Sequence, residues 1–191
     1  MNVNITYPPI KRGSFLRRRL LRILRWPFIL AAIACVVINV CIGGVVWSPI
    51  AIVGLFAVWK MVLSPDLVDY NRTSQFIKTV VYILILLAMI ELLIVPGWAA
   101  FVIPIVGFTG VAIGGVLFFT DMETQKHNML PLVLFLVFAI IGSTIGLTLW
   151  HEKNFWPFIV LDSVSVFLLL ALIIVLGGDF LRELKRRFHI K

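Results

Sequence analysis

Two carboxylates stand inside apolar runs of this chain, and two more close such runs. Glu91 is the one acidic residue between Phe76 and Thr120, and Asp162 the one acidic residue between Trp156 and Gly178. A charge within a bilayer is costly, so each is a functional hypothesis until a partner is found. Glu91 lies about one turn from the end of its helix, and Asp162 about 9 Å inward from Trp156. Both fall in the same half of the membrane, near His151, Glu152 and Lys153. A polar site there suits a cation or a cationic solute, which is the chemistry of a small transporter or channel. The competing reading has each carboxylate reach the interface, or bond to backbone or to a hydroxyl such as Ser163 or Ser165. Asp121, in TDMET, and Asp179, in GGDF, end two spans on the opposite side. Two aspartates sharing a proton can activate water for peptide hydrolysis. The plainer reading is a glycine helix end followed by solvated charges.

Little else in the sequence is reactive. Cys35 and Cys41 lie about 9 Å apart along one predicted helix and on different faces, which excludes a disulfide between them. Two thiols with distant histidines make no zinc site, so no metal or cofactor is expected. The zincin pair, the phosphate-binding P-loop and the serine nucleophile elbow are all missing from the sequence.

The elements that must position these groups follow from composition. Of 191 residues, 61% are hydrophobic and 14% charged, and mean hydropathy is +1.08. A soluble domain of this size could not hide that much apolar surface. From Trp26 to Pro65 the only charge is Lys60. Forty residues make about 60 Å of helix against about 30 Å of hydrocarbon, so the chain crosses twice. Gly43-Gly44 before Trp47-Ser48-Pro49 supplies the turn. Phe76 to Thr120 demands two crossings in the same way, with Val95-Pro96-Gly97-Trp98 as its bend. Two further spans occupy 129–150 and 156–178. The predicted fold class is therefore all-α, a polytopic membrane bundle of six helices with a basic interfacial helix at each end. Residues 1–25 form the N-terminal basic segment, 26–178 the transmembrane domain and 179–191 the basic tail. Ala32-Ile33-Ala34-Cys35 resembles a lipoprotein cleavage box, but the apolar run continues beyond it, so the segment reads as the first span.

Net charge is +8. Seven cations lie in 1–25, three in the second-to-third connection (Lys60, Arg72, Lys78), one at Lys126 and five in the tail. Only Lys153 falls on the other side. The positive-inside rule then puts both termini in the cytoplasm of a multi-pass cell-membrane protein, a bacterial plasma membrane being the expected setting. Arg17, Arg18, Arg19, Arg22 and Arg25, with Arg182, Lys185, Arg186 and Arg187, are candidate contacts for anionic inner-leaflet headgroups. The cations form no groove, so nucleic acid is not an expected partner.

Small residues predict packing. Gly110 and Gly114 on span four share a face, as do Gly142 and Gly146 on span five, and these two spans are expected to meet there. Pro104 should bend span four. The second helix of each hairpin begins near a tryptophan (Trp47, Trp98, Trp156) and ends near an aspartate (Asp66, Asp121, Asp179), as three tandem hairpins would.

Two family resemblances follow. The sequence around Asp121 and Asp179 looks like the active-site segments of prepilin-type intramembrane aspartyl peptidases. It departs in that Leu176 replaces the first glycine of Gly-x-Gly-Asp and no span follows Asp179. The second resemblance covers nearly the whole chain. YPPIKR (7–12), VIPIV (102–106) and GDFLRELKRRFHI (178–190) resemble an uncharacterised bacterial group of six-helix membrane proteins, often preceded by a zinc ribbon whose cysteines have no counterpart here. That resemblance implies the architecture and no activity. The expected function is a non-enzymatic assembly or scaffold component, with a homo-oligomer or other membrane proteins as partners. A transporter using Glu91 and Asp162 and a peptidase using Asp121 and Asp179 are the alternatives.

Overall fold

A computed structural model of the chain describes residues 15–63, 72–122, 129–149 and 155–188. Six α-helices follow one another, and no strand occurs among the described residues. They are α1 (Phe15–Ile42), α2 (Ser48–Val58), α3 (Arg72–Leu93), α4 (Ala99–Thr120), α5 (Leu130–Leu149) and α6 (Trp156–Phe188). A π-helical turn, Trp59–Leu63, continues α2. Five helices are long and apolar enough to cross a membrane; α2 is shorter.

The turns fall where glycine permits them. Gly43 and Gly44 have φ of 72° and 81°, and Gly97 has 107°, a region that a side chain strongly disfavours. Proline stands in the first turn of α2 (Pro49), α5 (Pro131) and α6 (Pro157), where no intrahelical N–H bond is lost. Two expectations about the ends fare differently. At the C-terminal end, Gly177 (φ 47°, ψ −120°) interrupts α6 and separates the apolar span from the helical tail. At the N-terminal end, α1 runs through residues 15–25 and Pro27 into the span without a break. Leucine and arginine are strong helix formers, and nothing between the basic run and the apolar run terminates a helix. Its 28 residues extend about 42 Å.

The core belongs to α3–α6. Ile77 and Val80 of α3, Val111 and Phe118 of α4, Leu132 and Leu136 of α5, and Leu161 and Leu172 of α6 form one buried cluster. Helix α4 is central: 39% of its span is buried, against 6% for α1. It is apolar all round, as a helix contacted on several sides must be. Its glycines set the spacing. A Cβ on Gly110 would stand 2.6 Å from Val80 Cγ1, and one on Gly115 would stand 2.9 Å from Leu168. Pro104 is buried within the continuous α4. Helix α2 leans on α3 through Phe56 and Tyr82, whose rings meet edge-on at 6.2 Å. Helix α1 packs chiefly on α2.

Candidate functional site

Glu91, the first of the two carboxylates within apolar runs, stands near the end of α3 and reaches over the turn to the start of α4. Its Oε1 accepts the N–H of Gly97 at 2.6 Å, and its Oε2 accepts those of Trp98 at 3.3 Å and Ala99 at 3.0 Å. The first N–H groups of a helix have no partner within it, and the helix dipole favours an anion there. Trp98, at the N-cap, offers no side-chain acceptor. A carboxylate from the preceding helix fills that place, so Glu91 is a cap delivered across a turn.

A residue not singled out from sequence does the same one hairpin earlier. Asn39 of α1 is buried; its Nδ2 donates to the carbonyl of Val45 at 3.0 Å, and its Oδ1 accepts the N–H of Ser48 at 2.9 Å. Here too the N-cap is a tryptophan, Trp47, whose side chain makes no capping bond. The signal available in the sequence was a polar side chain four to six residues before a turn glycine, as in Asn39–Gly43 and Glu91–Gly97.

Asp162 lies on α6 facing α5. Ser143 Oγ donates towards Asp162 Oδ1 at 2.8 Å and stands 2.9 Å from the carbonyl of Ile140. The hydroxyl partner is therefore across the helix pair; Ser163 is exposed, and Ser165, fully buried, has no hydrogen-bond partner for its Oγ. Glu91 and Asp162 each serve their own hairpin, by a different contact.

Beside Ser143 a cleft of about 410 Å³ opens between α3 and α5, with α4 and α6 behind it. Val81, Leu84, Phe135, Phe138, Phe158 and Leu161 are among its lining residues, and the surface is almost wholly apolar. Such a cleft offers hydrocarbon contact and little to coordinate a cation.

The other predicted residues are dispersed. Asp121 is exposed at the C-terminal end of α4, whereas the side chain of Asp179 lies outside the described residues. The side chains of Arg17, Arg18, Arg182, Lys185, Arg186 and Arg187 lie outside them as well. Arg19, Arg22 and Arg25 are exposed on α1. The glycine pairs do not face one another as expected. Gly110 takes Val80 of α3 and Phe135 of α5, and Gly114 takes Leu132 of α5 and Ile77 of α3. Gly146 is covered by the Phe158 ring of α6, and Gly142 has open space. Spacing gives a small-residue face but does not choose the helix that covers it. No group of three or more His, Cys, Asp or Glu able to hold a metal occurs among the described residues.

No curated protein and no solved structure matches the chain. A family model does. The matched region starts at Tyr7, the first residue of YPPIKR, and ends at Ile190, the last of GDFLRELKRRFHI. It takes in residues 7–190, and the chain belongs to that family, a family of unknown function (DUF6320).

Proposed function

We propose that the chain is a non-catalytic, multi-pass membrane protein, an assembly or scaffold component of a bacterial plasma membrane, with six crossings and both termini in the cytoplasm. The observation that carries this reading is the engagement of both intramembrane carboxylates by the protein itself. Glu91 holds three backbone N–H groups and Asp162 a buried serine. A conduction or transport site needs polar groups turned towards a path, and the adjoining cleft is apolar.

Six crossings rather than five rest on the α1–α2 hairpin. From Ser48 to Leu63 the second helix rises about 24 Å, short of about 30 Å. Yet it pairs with α1 along its length, from Asn39 and Ser48 at one end to Phe28 and Trp59 at the other. That return brings Lys60 level with Arg25, where the basic run of α1 ends, and a long lysine side chain closes the remaining gap to the interface. Five crossings would put Arg72 and Lys78 outside, against the positive-inside rule. The basic ends, 15–25 and 182–191, lie on the anionic inner leaflet in this arrangement.

Reporter fusions at Asn71, His127 and Lys191 should report cytoplasm, and one at Lys153 should not. An external signal at Asn71 refutes the six-span arrangement. For the role itself, mild extraction from native membrane should yield the chain with a stoichiometric membrane partner or a second copy. Cation flux into proteoliposomes that Asp162→Asn abolishes would replace this reading with transport.

A further inference from the structure

Helix α1 has the smallest buried share of the five long helices, and with α2 it encloses a cleft of its own. About 380 Å³ lies between the two helices. Arg25 and Lys60 stand at its mouth, with Phe28, Trp59, Ala32 and Ile52 among the residues below them. On α1 the lining recurs at Arg25, Phe28, Ile29 and Ala32, and on α2 at Ile52, Leu55, Phe56 and Trp59. Each set is one helical stripe. Charge is confined to one end: two cations, and no acidic group among the lining residues. The aromatic wall is fixed by an edge-to-face contact, Phe28 to Trp59, with centroids 5.4 Å apart. The α-helix also gives way to a π turn at Trp59. Such turns widen a helix locally and recur at functional sites. This one carries both Trp59 and Lys60.

We propose that this cleft binds one anionic phospholipid of the inner leaflet, with its phosphate between Arg25 and Lys60 and the first part of an acyl chain against Phe28, Trp59, Ala32 and Ile52. From Arg25 to Ala32 the helix rises about 10 Å, a third of the roughly 30 Å hydrocarbon thickness, so the cleft suits the upper segment of one chain. Charge complementarity sets the headgroup: a zwitterionic lipid offers no net charge to two exposed cations. A second copy presenting the same face would bring its own Arg25 and Lys60 towards these, and like charges oppose that docking. Basic pockets between membrane helices on the cytoplasmic side recognise anionic headgroups in this way. The proposal rests on the membrane orientation given above, with Arg25 at the cytoplasmic interface.

The test is lipid retention by the purified full-length chain in neutral detergent, titrated with phosphatidylglycerol or phosphatidylcholine and counted by native mass spectrometry. One phosphatidylglycerol should be retained in preference to phosphatidylcholine. Each cation near an anionic surface contributes about 1 kcal/mol, which is about fivefold in affinity. Arg25→Gln and Lys60→Gln should therefore each weaken retention about fivefold, and the double variant about 30-fold. Arg72→Gln removes an exposed charge outside the cleft and should leave retention unchanged, while Ala32→Trp should fill the cleft and abolish it. Equal retention of the two lipids overturns the proposal. So does a loss in Arg72→Gln as large as in Arg25→Gln, or a chain dimer in place of the lipid. Carbonate extraction and the reporter at Asn71 score the membrane orientation separately. A correctly oriented chain with no lipid preference defeats this proposal alone.

Discussion

Replacing Glu91 by alanine strips the start of α4 of its only described cap and leaves three N–H groups to find water. Two of the bonds are well formed, at 2.6 and 3.0 Å, and the third, at 3.3 Å, is weak. A hydrogen bond to a charged acceptor is worth about 1.5–3 kcal/mol. This carboxylate is only partly buried, and solvent screening reduces each good bond to about 1 kcal/mol. The favourable charge at the helix start adds about 0.3–1 kcal/mol. Glu91→Ala should then cost about 2–3 kcal/mol, or roughly 4–12 °C in the unfolding midpoint of a chain this size. Glu91→Gln keeps one acceptor oxygen and should lose about half as much. Thermal unfolding of the detergent-solubilised chain measures both, and amide hydrogen exchange at Gly97 and Ala99 should quicken in the alanine variant. An alanine variant as stable as the parent, with those amides still protected, would refute the capping role and return Glu91 to the list of groups free to serve a ligand.

Six other substitutions probe the same physics. Gly146→Ala forces a methyl into the Phe158 ring and should destabilise by about 1–3 kcal/mol, whereas Gly142→Ala meets nothing within 4 Å and should be neutral or slightly stabilising; unfolding midpoints of the pair compare them directly. Asn39→Ala leaves the Ser48 N–H and Val45 carbonyl unpaired, which should cost about 2 kcal/mol and speed exchange at Ser48. Asn39→Asp keeps the acceptor and should protect that amide. Ser143→Ala withdraws a hydroxyl from a half-buried carboxylate and should cost about 1–2 kcal/mol, with Asp162→Asn milder because it retains an oxygen for Ser143; chemical denaturation of both variants tests the order.

The architecture was legible because its signals are strong and local. A forty-residue run with one charge makes too long a helix to match a bilayer's thickness, and the breaks expected at Gly43-Gly44 and Pro96-Gly97 are turns. The tryptophans at 47, 98 and 156 did mark helix starts. What the polar residues do was less legible, because each partner is chosen by tertiary geometry. Glu91 reads in sequence as a charge in an apolar run, and only the fold shows that the α4 N-terminus swings beneath it. Asp162 found Ser143, nineteen residues away, rather than the hydroxyls beside it in sequence, because α5 approaches that face of α6. Asn39 passed unnoticed because a neutral amide raises no alarm in hydropathy. Gly110 and Gly142 each lie in a small-xxx-small pair, yet one receives Val80 and the other nothing, since which helix crosses at that level is a property of the whole bundle.

The two capped turns have a further consequence for how the chain is made. Asn39 bonds to residues six and nine positions on, and Glu91 to residues six to eight positions on. A ribosome adding about 5–20 residues each second delivers these partners within roughly one or two seconds of the side chain that needs them. Each of the first two hairpins can thus satisfy its most awkward polar groups as it leaves the insertion machinery, without waiting for a later helix. The order of synthesis and the order of polar satisfaction coincide, and a half-made chain need not hold an orphaned carboxylate in the membrane while the rest arrives.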